Sequence, residues 1–318
     1  MHIPEGMLSA PVTAIAGLVS LTTLGYAVSW VRHYLDDRKV VLMAVLGSLI
    51  FALQMLNFPI QAGTSGHFAG GALAGILLGP WPAVLVLTAV LLVQAVLFAD
   101  GGILALGANI LNLGITAPLI GYAVYHVVLH LSRSRGAHLF GAGVGAWLAT
   151  LLAALAVAGE LGLSGTANLR LAAIAMGGIH ALIGIGEGLI TAALVAYLHA
   201  VRPEILSAAV APAGTRPIHG VAIALICLAI LAASLSFLAS SAPDGLEWVY
   251  FEQGIGNAQA VAMAPRWPGA GGPLAGYQVA GIDNEALGSF IAGLVGLIIV
   301  GILLGMVVLR RRRQAGAV

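Results

Sequence analysis

Nine apolar runs, separated by short polar breaks, constrain this chain more than any other feature. They cover roughly residues 8–31, 40–58, 67–79, 82–99, 102–131, 138–160, 171–200, 219–240 and 286–309. A helix that crosses about 30 Å of hydrocarbon needs about 20 apolar residues, and most of these runs supply them. Charge content agrees. Only 8% of the residues are charged, against about 25% in a soluble domain. The expected fold is an all-α polytopic membrane protein with about nine hydrophobic helices. Seven fall in residues 1–202. Two form a C-terminal module in 219–318, after a Pro/Ala-rich linker at 203–218 and around an outer loop at 242–286. The run 67–79 is short and ends at Gly79-Pro80-Trp81-Pro82, where proline opposes a continuous helix. It reads as a short or tilted span, or as a re-entrant arm.

Charge orients the helices. With the N-terminus outside and nine crossings, Arg32, Arg38, Lys39, Arg133, Arg135, Arg202, Arg216 and Arg310 to Arg313 fall inside. Only Arg170 and Arg266 fall outside. That is the asymmetry the positive-inside rule expects. It predicts a multi-pass protein of the cell (inner) membrane, N-terminus outside and C-terminus cytoplasmic. A net charge of +1 implies no nucleic acid partner. The single cysteine, Cys227, lies in an apolar run and reads as packing.

The chemistry-bearing residues gather on the expected outer side. The chain begins MHIPEGMLSA, and this opening lacks the positive charge of a secretory signal. His2 has a different use. A free Met1 amine, the peptide nitrogen of residue 2 once deprotonated, and His2 Nδ1 can close five- and six-membered chelate rings in one plane. His67 can supply a fourth nitrogen. Square-planar nitrogen sites suit Ni(II) or Cu(II), whereas zinc prefers a tetrahedron. The competing reading makes His2 incidental, an interfacial residue before the first span.

Around His67 the sequence reads GTSGH. Thr64 and Ser65 either support the site or cap the following helix. Asn57, Gln61, Gln94 and Asn109 are amides near the outer halves of the spans, and Asp100 sits at a span end. These residues either orient ligands or join helices by hydrogen bonds. His180 and Glu187 lie two helical turns apart inside one span. They form either a buried polar pair or part of a ligand path. His33, His126, His130, His138, His199 and His219 fall near inner ends and read as interfacial or structural.

MHIPEG, NFPIQAGTSGH with GGALAGILLGPW, QAVLFADGG with LGANILN, and HALIGIGEGLIT occur in that order over residues 1–200. Together they resemble the CbiM/NikM family, the substrate-binding (S) components of energy-coupling factor (ECF) transporters for nickel and cobalt. SAPDGLEWV and GGPLAGYQV, in the C-terminal module, resemble the small accessory component CbiN/NikN, the PDGLE domain. The resemblance implies that Met1, His2 and His67 hold the metal. It also implies Ni²⁺ or Co²⁺ as the transported substrate, a transmembrane coupling (T) subunit, and two cytoplasmic ATPase subunits. The chain itself has no G-x-x-x-x-G-K-[ST] phosphate loop, and Lys39, its one lysine, follows Arg38.

The expected function is therefore metal capture for an importer of Ni²⁺, or of Co²⁺ for cobalamin synthesis, and not catalysis. A self-sufficient secondary transporter is the alternative of another class. It needs intramembrane ionisable groups in series, and only His180 and Glu187 offer them. Gating of metal entry is one role for the 242–286 segment.

Overall fold

The computed structural model describes residues 1–34, 37–60, 63–207, 219–263 and 271–315. The expected Gln61, most of the 203–218 linker and Arg266 lie outside the described residues. Each of the nine apolar runs contains a helix. These are α1 Ala10–Tyr34, α2 Asp37–Gln54, α3 Gly71–Leu78, α4 Pro80–Phe98 and α5 Leu106–Leu131, α6 Arg135–Leu163, α7 Leu169–Val201, α8 His219–Ser234 and α9 Glu285–Ala315. Six of them (α1, α4, α5, α6, α7 and α9) are long and apolar enough to cross a membrane. The protein is a multi-pass helical membrane protein.

Local chemistry sets the helix ends. The Ser134 hydroxyl accepts from the Ala137 N–H and starts α6. The Asn168 side chain accepts from the Leu171 N–H and starts α7. Both use the preferred N-cap residues to satisfy an otherwise orphaned donor. Gly79 at φ +84° separates α3 from α4, and Pro80 opens α4, a position where its missing N–H costs nothing.

Within the run 67–79 the helix is shorter than the apolar stretch. Phe58–Pro59 and Ser65–Gly66 pair as a short antiparallel hairpin. Residues 67–70 are non-helical, and only Gly71–Leu78 winds into a helix. At about 1.5 Å per residue α3 is about 12 Å long, and all eight of its residues are buried. Small residues set its neighbours. A Cβ on Gly75 would meet the Pro118 carbonyl oxygen at 2.3 Å, and one on Gly71 would meet Ala117 Cβ at 2.6 Å. Close backbone approach of this kind is what holds helices together where lipid removes the hydrophobic drive.

Ile15, Leu18 and Leu21 of α1, and Ile174, Ile185 and Leu189 of α7, are exposed and form the lipid-facing surface. The helices α8 and α9 pack on α2. Val300 and Leu304 press on Gly47, and the Ser48 hydroxyl donates to the Leu297 carbonyl at 2.9 Å.

Two segments of π-helix, Gln94–Phe98 and Ile110–Thr116, flank the turn at Asp100. The N-terminal arm lies against this turn, at one end of the bundle. By chain order, Arg32, Arg38, Lys39, Arg133, Arg135 and Arg202 lie at the opposite end, and Arg170 lies at the arm's end.

Candidate metal centre

The arm is held by its third residue. The Ile3 N–H donates to Asn109 Oδ1 at 2.7 Å. The Ile3 carbonyl accepts from Asn109 Nδ2 at 3.1 Å and from the Gly102 N–H at 2.9 Å. Glu5 Oε1 accepts from the Ile103 N–H at 3.1 Å. The Asp100-Gly101-Gly102 turn therefore wraps the arm. Gly101 has φ +87°, and a Cβ there would sit 2.9 Å from Asn109 Nδ2 and 3.3 Å from His2 Cβ. Glycine meets both demands.

That clamp presents residues 1 and 2 to His67. The Met1 amine lies 3.1 Å from His67 Nε2. The His2 and His67 rings stack, 5.2 Å between centroids and 5° between planes. His2 Nδ1 is 2.9 Å from Asp100 Oδ1, and His2 Nε2 is buried with no hydrogen-bond partner among the described residues. The structure thus brings Met1, His2 and His67 together. The atom that would close the second chelate ring, His2 Nδ1, is engaged by Asp100.

The expected supporting residues divide. Asp100 and Asn109 touch the arm directly. Gln94 stands one step back, its Nε2 donating to the Tyr277 hydroxyl at 3.2 Å, and Tyr277 in turn donates to Asp100 Oδ2 at 2.5 Å. Thr64 and Ser65 cap no helix, because α3 starts six residues after Ser65 with no side-chain cap. Ser65 Oγ donates to the Ala242 carbonyl at 2.8 Å, and its N–H donates to the Pro243 carbonyl at 2.9 Å. Thr64 Oγ1 lies 3.3 Å from the same Pro243 oxygen. Asn57 contributes its backbone carbonyl, which accepts from the Ser240 N–H at 2.7 Å.

His180 and Glu187 bond to different partners. His180 Nδ1 meets the Met176 carbonyl at 2.9 Å. The Glu187 carboxylate accepts from the Ala69 N–H at 2.7 Å and the Gly70 N–H at 2.9 Å, which fixes the backbone just after His67. At the opposite end, the Tyr125 hydroxyl and His138 Nδ1 are 2.6 Å apart, and the His138 and His199 rings meet edge to face.

Two residues of the C-terminal module were absent from the sequence reading of the site. The Asp244 carboxylate forms an ion pair with the Met1 amine, and Tyr277 bonds Asp100. The acidic PDG segment was visible as a motif. Its proximity to Met1 was not, because 243 residues separate the two. A small cavity lies between Met1, His67, His180 and Asp244.

Burial, the neighbouring Met1 ammonium and the His2 ring hold the His67 imidazole far below the ordinary histidine value, so it is a neutral lone-pair donor. Burial works against the Asp100 carboxylate, but His2 and the Tyr277 hydroxyl outweigh it and hold its pKa low. Burial likewise opposes the Asp244 carboxylate, and the Met1 ammonium outweighs it. Both acids are therefore charged beside the arm. Among the described residues no three His, Cys, Asp or Glu side chains are arranged to hold a metal ion.

Comparison with known proteins shows the family. The family model for the cobalt uptake substrate-specific transmembrane region, CbiM, matches residues 2–205, and the PDGLE domain matches 219–313. A relative from Archaeoglobus fulgidus, whose name places it with the fused nickel transport proteins NikMN, is 38% identical over 317 residues, covering 99% of this chain and 100% of the relative. The fused nickel transport protein NikMN of Rhodobacter capsulatus is 32% identical over 353 residues, covering 99% of this chain and 100% of that protein. A crystal structure described as a truncated transition metal transporter superposes with a TM-score of 0.58 at 39% identity, covering 63% of this chain and 99% of the other. The chain belongs to the CbiM family of substrate-specific transmembrane proteins and carries a PDGLE domain at its C-terminus.

Proposed function

We propose that the protein captures Ni²⁺, with Co²⁺ as the second cargo, for an ECF-type importer. One observation carries the reading: the Met1 amine lies 3.1 Å from His67 Nε2. At roughly 2.0 Å per metal–nitrogen bond, adjacent corners of a square are about 2.8 Å apart. The pair is nearly at bonding separation for neighbouring ligands. The His2 peptide nitrogen and Nδ1 would complete the plane once Asp100 releases the ring. A planar N₄ set favours Ni(II), and both fused relatives named above are nickel transport proteins by name. Co²⁺ uptake for cobalamin synthesis is the closest alternative and requires added ligands or a changed geometry.

The basic residues at the end opposite the arm support an N-terminus outside and a C-terminus in the cytoplasm, by the positive-inside rule. Capture is then extracellular or periplasmic. With no nucleotide-binding loop in the chain, uptake draws on a transmembrane coupling subunit and two ATPases. A closed N₄ plane leaves no in-plane position for a reacting water, which supports transport and not hydrolysis. His180 and Glu187 are engaged in backbone contacts, which offers little support for a self-sufficient carrier.

The test acetylates the Met1 amine. The blocked nitrogen can no longer ligate and the five-membered chelate ring cannot form. Square-planar Ni²⁺ absorption and high affinity should both be lost. Retention of either overturns the site. In liposomes, the chain without ATPase subunits should show no sustained Ni²⁺ uptake.

A further inference from the structure

The C-terminal module docks on the site through a strand-like contact. Residues 242–244 run beside the hairpin strand that leads to His67. The Ser65 N–H and hydroxyl bond the Pro243 and Ala242 carbonyls, and Ser65 bridges Asp244 in parallel. Gly245 lies against His180, where a Cβ would meet the ring at 2.8 Å. Asp244 is thereby delivered to the Met1 amine, two positions along from the segment that carries His67. Its two oxygens have separate duties. Oδ1 accepts from the Leu246 and Glu247 N–H groups at 2.8 Å, and Oδ2 faces the amine.

From this division we infer that Asp244 is a positioning residue of the metal site, so that the PDGLE domain contributes a side chain to the centre. The inference rests on the nickel-capture reading above. An amine that ligates a metal keeps two N–H bonds, and one can remain donated to Asp244 Oδ2. Carboxylates that accept from a metal-bound nitrogen fix its direction and raise its basicity. The charge also matches. Ni²⁺ bound to one deprotonated peptide nitrogen leaves a net charge of +1 in the site, and the half-buried Asp244 carboxylate lies beside it.

The experiment uses the full chain with a free N-terminus, in detergent, with Ni²⁺ alone as the probe. Asp244→Asn keeps a carbonyl oxygen for the Leu246 and Glu247 N–H groups, and asparagine caps as well as aspartate. It removes the carboxylate from the amine. The dissociation constant should rise about 10- to 100-fold, while the absorption maximum at saturation stays in place because the four nitrogens are unchanged. Glu247→Gln, whose side chain closes the cap by accepting from the Asp244 N–H at 3.3 Å, should bind within about twofold of the parent. An Asp244→Asn chain that binds as tightly as the parent, or more tightly, overturns the inference. So does an equal loss in Glu247→Gln, which would make the local fold and not the carboxylate responsible. A parent chain without the square-planar spectrum removes both this inference and the function it rests on. A parent with that spectrum and an unaffected Asp244→Asn removes this inference alone.

Discussion

Residue 3 of the arm and residues 1–2 are held in two different ways. Ile3 is fixed by neutral hydrogen bonds from Asn109 and Gly102, both in the first two-thirds of the chain. Met1 and His2, which carry the candidate donor nitrogens, are held by the charged side chains Asp244 and Asp100. One of those comes from the C-terminal module, and the other is bonded by Tyr277 of that module. The neutral clamp can persist through a loading cycle. The charged contacts lie on the atoms that the proposed site would have to free for metal.

Acid separates the two most strongly. Metal loading takes a proton from the Met1 ammonium and one from the His2 peptide nitrogen, so affinity should fall about 100-fold per pH unit where both are lost. Docking of the module has a different window. Asp244 and Asp100 have pKa values depressed below their ordinary 3.8. Their stabilisation is present above that value and is lost as pH falls through the depressed values. Ni²⁺ titrations and Trp248 emission followed from pH 8 down to about 2 should show metal loss well before undocking. Coincident transitions would merge the two modes of anchoring.

Breaking the neutral clamp is the next largest change. Asn109→Leu removes two hydrogen bonds and leaves the buried Ile3 N–H without an acceptor, at about 1–3 kcal/mol. Ni²⁺ affinity should drop about 10-fold or more, with a lower thermal midpoint even in the absence of metal. An affinity loss with no metal-free destabilisation would mean that Asn109 acts on the donors and not on the clamp. Tyr277→Phe removes one hydrogen bond to a carboxylate, again about 1–3 kcal/mol. Because Asp100 also competes with metal for His2 Nδ1, the net change in Ni²⁺ affinity should be smaller, about threefold, and should appear mainly in the association rate measured by stopped flow. Gln94→Met deletes only the neutral 3.2 Å contact to Tyr277. It should shift affinity by less than about twofold, and a larger shift would place Gln94 nearer the donors than its geometry does.

The helices were legible because hydrophobic length is a local property. A bilayer allows few alternatives for a 20-residue apolar run. The run at 67–79 was legible as a short or re-entrant element, but the start of its helix was not. Its composition is apolar throughout, but Glu187 binds the Ala69 and Gly70 N–H groups from another helix and keeps the segment before α3 unwound. The Met1–His2–His67 candidate was legible because three of its four nitrogens lie within two residues, so the chelate rings follow from covalent chemistry. Asn109 was visible only as a polar residue in an apolar run, and its partner at Ile3 was not.

The sequence by itself determined the helical membrane class and the charge asymmetry, and it nominated the candidate donor atoms, three of which lie in neighbouring residues. Tertiary structure alone decided which residues hold those donors. Asp244 and Met1 stand 243 positions apart, and Tyr277 and Asp100 stand 177 apart. No local pattern pairs residues over such distances. They meet because α8 and α9 pack against α2 and bring the segment between them to the arm, where partial burial makes an unpartnered charge costly and two opposite charges favourable.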